Sequence, residues 1–179
     1  MAKTKESHQF IWILFGFLIL LSCKDEDLDP GRNLNVSKYI EALKSNQYHE
    51  DKLPEFTAED IPALLEYVNE TQIITDFPRN PISSYYGPEC SLGMYVLWTI
   101  ESIRARSINS EYLVMGFPSQ NPILEREDAE GSEFVSAEVS QEPVAEAYYD
   151  WWEKNRHKDF EDFNHIDPLE ELNFRWHWL

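Results

Sequence analysis

The sequence is poor in basic residues, glycine and recognisable catalytic motifs, and each shortage excludes a class of function. Its 179 residues include 15 Lys and Arg against 33 Asp and Glu, which gives a formal net charge of −18. Such an acidic surface repels phosphate backbones, so nucleic acid is not expected as a partner. The six glycines form no phosphate-binding loop, and no G-x-S-x-G nucleophile motif occurs. Motifs therefore predict no catalytic residue and no cofactor.

Long apolar runs are also missing, apart from one near the start. Lys3 and Lys5 precede an apolar block from Phe10 to Leu21, and Ser22 follows it. A membrane-spanning helix needs about 20 predominantly apolar residues, and this block is shorter. A basic start, a short apolar block and a small residue are the layout of a secretory signal. We predict a signal peptide over residues 1–22.

Cysteine is scarce, and the first of the two explains where that signal ends. Leu20-Leu21-Ser22-Cys23 resembles the lipobox of bacterial lipoproteins, which implies that Cys23 is lipidated and begins the mature chain. The alternative is an ordinary secreted protein that is cut near Ser22. With Cys23 acylated, Cys90 has no disulfide partner, and a lone thiol is most often buried and inert.

Charged residues follow the first cysteine directly. Lys24, Asp25, Glu26 and Asp27 resemble the lysine-plus-acids export signal of surface lipoproteins in Bacteroides-type bacteria. A solvated acidic spacer is the alternative, because charge runs usually have that role. We predict that residues 23–35 are the lipidated cysteine and a flexible tether. The protein is then expected in the bacterial outer membrane, anchored by lipid and exposed at the cell surface.

The rest of the chain shows helical periodicity, and we predict a single helical domain over residues 36–179. Apolar residues spaced i, i+3, i+4, i+7 recur in three segments. They are Val36, Tyr39, Ile40 and Leu43; Ile61, Leu64, Leu65 and Val68; and Val144, Ala147, Tyr148 and Trp151. A further segment, Ser91 to Arg106, is apolar nearly all round and is expected to be a buried central helix. The predicted fold class is all-α.

A repeated proline motif suggests how these helices are arranged. Phe77-Pro78-Arg79-Asn80-Pro81-Ile82 is echoed 40 residues later by Phe117-Pro118-Ser119-Gln120-Asn121-Pro122-Ile123. HEAT-like helical hairpins repeat at a similar period of roughly 40–47 residues. We therefore predict a small stack of helical hairpins, with an irregular helical bundle as the alternative. The alternation of Val135, Ala137 and Val139 allows one short strand.

The C-terminal part is rich in aromatic and charged side chains. Trp151 continues a core stripe, whereas Tyr149, Trp152 and Arg156 lie on its flank. Aromatic rings beside polar groups can hold the flat faces of sugars. These three are the candidate ligand-binding residues, although core packing is the more common role of aromatics. The nearby charges between His157 and Asp167 match no metal-site spacing, so no metal site is predicted.

A family resemblance covers most of the mature chain. It is similar to an uncharacterised lipoprotein family of gut Bacteroides-type bacteria through the segments DIPALLEY, FPRNPISSYYGPEC, GMYVLWTIESIRA and AYYDWWEKN. The resemblance implies a small helical domain of unknown function and carries over no catalytic residue. Two functions stay open: a tethered module that binds a protein, peptide or glycan, and an envelope or polysaccharide hydrolase with an acidic C-terminal site. We favour the first, because binding needs no motif.

The lipid anchor gives the first testable prediction. Replacing Cys23 with Ala should abolish metabolic labelling by a fatty-acid analogue and release the protein from membranes, because the acylated residue is lost. A variant with alanine at positions 24–27 is the control, since it should keep its lipid and lose only its exposure to external protease. Undiminished labelling of the Cys23→Ala protein would contradict the lipobox interpretation.

Overall fold

The computed structural model describes residues 35–84, 87–128 and 131–177 of the chain. The predicted signal peptide, Cys23 and the export signal from Lys24 to Asp27 lie outside the described residues. Within them, helices and short antiparallel strands together enclose one cluster of buried hydrophobic side chains. The all-α prediction is therefore wrong, and the fold is mixed α/β.

The helices agree with the apolar stripes of the sequence. They are α1 (Val36–Lys44), α2 (Ile61–Leu65), α3 (Leu92–Ser107) and α4 (Ala137–Asn155). Asn35 caps α1, since its side-chain Oδ1 accepts a hydrogen bond from the Ser37 amide at 2.9 Å. The helix α4 begins at Ala137, so Pro143 lies within its first two turns.

The helix α3 forms the centre of the fold, as its composition predicts. Thirteen of its sixteen residues are buried, and it packs against both α2 and α4. A helix that is apolar on every side can be stable only where neighbours cover it all round. The remaining elements are accordingly arranged around α3.

Two small sheets complete the architecture. The strands β1 (Ile73–Ile74) and β2 (Cys90–Ser91) pair antiparallel just before α3. The strands β3 (Leu124–Asp128), β4 (Gly131–Val135) and β5 (Phe174–Trp176) form an antiparallel sheet in the order β4-β3-β5. Leu124 stands opposite both Val135 and Trp176, and all three are buried. The sheet therefore turns one apolar face to the core.

The prediction of a helical repeat is also wrong, because neither proline motif opens a helical hairpin. Each motif forms a loop, and the two loops pack against each other over α3. Asn80 Nδ2 donates to the carbonyl oxygen of Ser119 at 3.0 Å, and Asn121 Nδ2 donates to Ser83 Oγ at 2.5 Å. The similar sequences thus correspond to two loops in mutual contact.

The central helix is tied to each of these loops by an aromatic side chain. The Tyr95 hydroxyl donates to the carbonyl oxygen of Pro78 at 2.9 Å. Trp98 Nε1 donates to Ser119 Oγ at 2.7 Å, and its ring stacks on Phe117. Both rings are fully buried, so their polar atoms need such partners. Each motif thus supplies a buried phenylalanine and a polar partner for one aromatic side chain of α3.

The first turn of α3 packs closely against residues 68–70, which follow α2. Gln141 Nε2, from α4, donates to the carbonyl oxygens of Val68 and Glu70 at 3.0 and 3.1 Å. The amide of Gly93 donates to the same Glu70 oxygen at 2.8 Å. A Cβ atom at position 93 would lie 2.1 Å from Gln141 Nε2 and 2.2 Å from the Val68 oxygen. This packing requires glycine.

Replacing Gly93 with Ala should therefore destabilise the protein. Part of the clash is with backbone, which cannot move aside cheaply, so we expect a loss of about 3 kcal/mol in the free energy of unfolding. The Gly116→Ala protein is the matched control, because Gly116 has φ +88° but open space around its Cβ position. Its backbone strain should cost about 1–2 kcal/mol. Urea denaturation measures both losses, and equal losses would contradict the proposed contact.

Candidate functional site

A groove of about 500 Å³ runs between α4 and the segment that leads to β5. One wall is the α4 stripe that carries Ala147, Trp151 and Lys154, and the other is residues 166–172. The spacing of three and four residues brings the α4 side chains onto one side of the helix. The groove is a cleft of the size in which proteins bind small ligands or short chain segments.

The second wall is held in place by an aromatic cluster and a short turn. Phe163 is buried and packs against Trp151, with ring centroids 5.2 Å apart. Phe160 packs edge-on against Phe163 at 5.2 Å. Asp167 Oδ1 accepts a hydrogen bond from the Leu169 amide at 2.9 Å, which shapes the turn over Pro168. These contacts fix the second wall against the aromatic end of α4.

The floor of the groove is apolar, and one buried tryptophan forms part of it. Ala147, Pro168 and Leu172 contribute apolar surface. Trp151 lines the groove with only 5 % of its surface exposed, and its indole Nε1 has no hydrogen-bond partner in the described part of the chain. A buried donor without a partner costs free energy.

The rim is acidic on both walls. Glu146 and Asp150 lie along α4, and Asp167, Glu170 and Glu171 lie opposite. Across the residues that the structure describes, none of these five carboxylates forms a salt bridge. Acids elsewhere do: Glu101 pairs with Arg104 and Glu153 with Arg156. Lys154 lines the same groove, and Lys158 donates from its Nζ to Asn155 Oδ1 at 2.8 Å. Among the described residues, the groove therefore carries more negative than positive charge.

The sequence-predicted ligand residues lie on a different side of α4. Tyr149 is half exposed, and Arg156 pairs with Glu153 at 3.1 Å. Trp152 is half-buried, with its ring 5.9 Å from that of Phe163. None of the three lines the groove. The sequence analysis missed the groove. The pattern that could have indicated it is a helical stripe at positions 143, 147, 150, 151 and 154, followed along the chain by Phe160 and Phe163.

The remaining chemistry-bearing residues are dispersed or inert. Among the residues that the structure describes, no three His, Cys, Asp or Glu side chains gather into a possible metal site. Burial raises the pKa of the Cys90 thiol to about 12, although the nearby Arg79 guanidinium opposes the shift. The thiol therefore stays protonated at neutral pH, a state in which it is a poor nucleophile. None of the described helices is both long enough and apolar enough to cross a bilayer.

Comparison with known proteins identifies a family but no activity. A family model described as "Domain of unknown function (DUF4943)" matches residues 30–177. Searches of the curated proteins and of the solved structures gave no match.

The two neighbouring tryptophans of α4 should respond differently to truncation. Replacing Trp151 with Ala leaves a cavity in the core and should cost about 3–5 kcal/mol, whereas Trp152→Ala should cost less, because Trp152 is only half-buried. Trp151→Phe should cost least, because it keeps a ring and removes the unpartnered donor. Urea denaturation of the three variants checks this order. A larger loss for Trp152→Ala than for Trp151→Ala would contradict it.

Proposed function

We propose that this chain, which belongs to the DUF4943 family of domains of unknown function, is a lipid-anchored ligand-binding domain of the outer membrane. We place its binding site in the α4 groove, the cleft between the stripe of Ala147, Trp151 and Lys154 and residues 166–172. The observation that carries the proposal is the pairing of an apolar floor with a rim of carboxylates that form no salt bridge among the described residues. Binding sites commonly combine these two features.

Energetics favour a bound partner at this groove. The Trp151 ring lines the groove and is otherwise buried against Phe163, so a ligand would contact an aromatic surface that the core holds in place. The rim carboxylates of Glu146 and Asp150 are four residues apart on one helix, a spacing at which like charges repel. A ligand that places a hydrogen-bond donor between these carboxylates would reduce that repulsion.

The proposed anchor suits a binding role. Lipid on Cys23 would hold the protein at the membrane, and the twelve residues from Lys24 to Asn35 could extend about 40 Å. That reach lets the folded part sample the space beyond the membrane surface. The same proposal includes export to the cell surface, directed by Lys24 to Asp27. At the cell surface the tethered domain would meet ligands from outside the cell.

A hydrolase is the second candidate, and the carboxylates of the groove are the observation in its favour. Carboxylates from both walls line one cleft, with Asp150 on α4 and Asp167 and Glu170 opposite. Pairs of carboxylates across a cleft are the machinery of many glycosidases. Release of reducing sugar from a polysaccharide, lost in the Asp150→Asn protein, would favour hydrolysis over simple binding.

The binding proposal can be tested through the tryptophan indole signals in nitrogen-15 NMR spectra. The probes are a lysine-rich peptide, a glutamate-rich peptide and neutral oligosaccharides of glucose, mannose and xylose. At least one probe should shift the Trp151 signal, which the Trp151→Phe variant assigns. Trp98 and Trp176 are internal controls, because their indole nitrogens already donate to Ser119 at 2.7 Å and to Tyr148 at 2.9 Å.

The result that would contradict the proposal is equally definite. If all probes leave the Trp151 signal in place, or if they move the signals of Trp151, Trp98 and Trp176 together, the groove is not the binding site. Movement of all three would indicate a general change of the fold rather than a ligand in the groove.

A further inference from the structure

The sulfur atoms of the protein differ sharply in exposure, and one of them is open to solvent. Among the described residues, the sulfur-bearing side chains are those of Cys90, Met94 and Met115. Met94 has 1 % of its surface exposed, whereas Met115 has 67 %. We propose that Met115 is a site of reversible oxidation, at which peroxide converts the thioether to a sulfoxide while the fold stays intact. This inference is independent of the α4 groove.

A tight turn holds the Met115 side chain in contact with solvent. The Val114 amide donates to the carbonyl oxygen of Phe117 at 3.1 Å, and the Phe117 amide donates to that of Val114 at 2.9 Å. Phe117 is fully buried, and its ring stacks on that of Trp98. The base of the turn is therefore anchored in the core, and Met115 lies at its tip.

The backbone at the tip gives a second reason to assign a role to this side chain. Met115 has φ +52° and Gly116 has φ +88°. Glycine and asparagine adopt such angles most readily, whereas other residues are strained there. An exposed methionine at this position neither favours the turn nor fills the core. Residues held in strained conformations often serve a function through their side chains.

The other two sulfur atoms are protected from peroxide. Met94 lies in the central helix and is covered on every side. The Cys90 thiol stays protonated at neutral pH because burial raises its pKa. Peroxide reacts with the thiolate rather than with the thiol. Met115 is therefore expected to be the first of the three to be oxidised.

The reaction is a two-electron oxidation of sulfur. The O–O bond of hydrogen peroxide breaks, one oxygen atom is transferred to Met115 Sδ, and water is released. A methionine sulfoxide reductase reverses the step with a dithiol, which is oxidised to a disulfide as water forms. The sulfoxide is polar and accepts hydrogen bonds. Because Met115 lines a cleft of about 590 Å³ together with Phe77, Pro81 and His49, oxidation would add a polar acceptor to that cleft.

Peptide mass spectrometry of the folded mature chain after mild treatment with hydrogen peroxide tests the proposal. We expect Met115 to gain one oxygen at least about tenfold faster than Met94, because a buried side chain reacts only when the structure opens. In the urea-unfolded chain the two residues should react at similar rates. The melting temperature of the oxidised protein should change by about 2 °C or less, since the modified group is exposed. Methionine sulfoxide reductase with dithiothreitol should remove the oxygen.

The Met115→Leu protein is the matched control, because it keeps an apolar side chain and has no sulfur atom at the tip of the turn. It should gain no oxygen under conditions that oxidise the unaltered protein. Equal rates at Met115 and Met94 in the folded chain would overturn the proposal, as would oxidation of Cys90 before Met115. A clear fall in the melting temperature after oxidation, or an oxygen that the reductase cannot remove, would also overturn it.

Discussion

The fold depends on one buried carboxylate, that of Glu101 in the middle of the central helix. Arg104 holds it through two hydrogen bonds of 2.8 and 2.6 Å, and the Tyr148 hydroxyl donates to it at 2.7 Å. That hydroxyl in turn accepts from Trp176 Nε1 at 2.9 Å. Burial first, and Glu101 next, raise the pKa of Tyr148, so its hydroxyl stays protonated as a donor. The network joins α3, α4 and β5, and an unpaired charge in its place would be strongly destabilising.

This network also decides where the groove lies. Tyr148 and Trp151 are three residues apart on α4, so fixing the first sets the rotation of the helix that brings the second to the groove floor. Arg104 reaches past Glu101 and donates from Nη1 to the carbonyl oxygen of Asn164 at 3.2 Å, just before the second wall begins. Hydrogen bonds thus connect both walls of the groove to the central helix. A ligand in the groove would meet a preformed cleft, which lowers the entropy that binding costs.

Local patterns predicted the helices, whereas the sheets depend on contacts that no local pattern records. The stripe of Val36, Tyr39, Ile40 and Leu43 is buried as the spacing predicts, because neighbouring turns of one helix suffice to set it. Leu124 instead pairs with Trp176, far along the chain, and β5 has only three residues. So short a strand shows no readable alternation. The proline motif was misread for a related reason: its repetition reflects two loops that meet in space, and a sequence period alone cannot distinguish this from a stacked repeat.

The site could be predicted only in part, because α4 has three distinct sides and the sequence distinguishes only two of them. Its core side, with Tyr148 and Trp151, follows from periodicity, and its aromatic flank, with Tyr149 and Trp152, follows from composition. The groove side looks like ordinary solvated surface, since Asp150 and Lys154 are typical exposed helix residues. Only the position of residues 166–172 converts that side into a cleft. Acidic residues are so frequent in this chain that their number carries no information about function, but five carboxylates that line one apolar cleft do. The property that distinguishes the site is therefore the gathering of carboxylates from two distant segments around one apolar floor, which becomes visible only when both walls are in position.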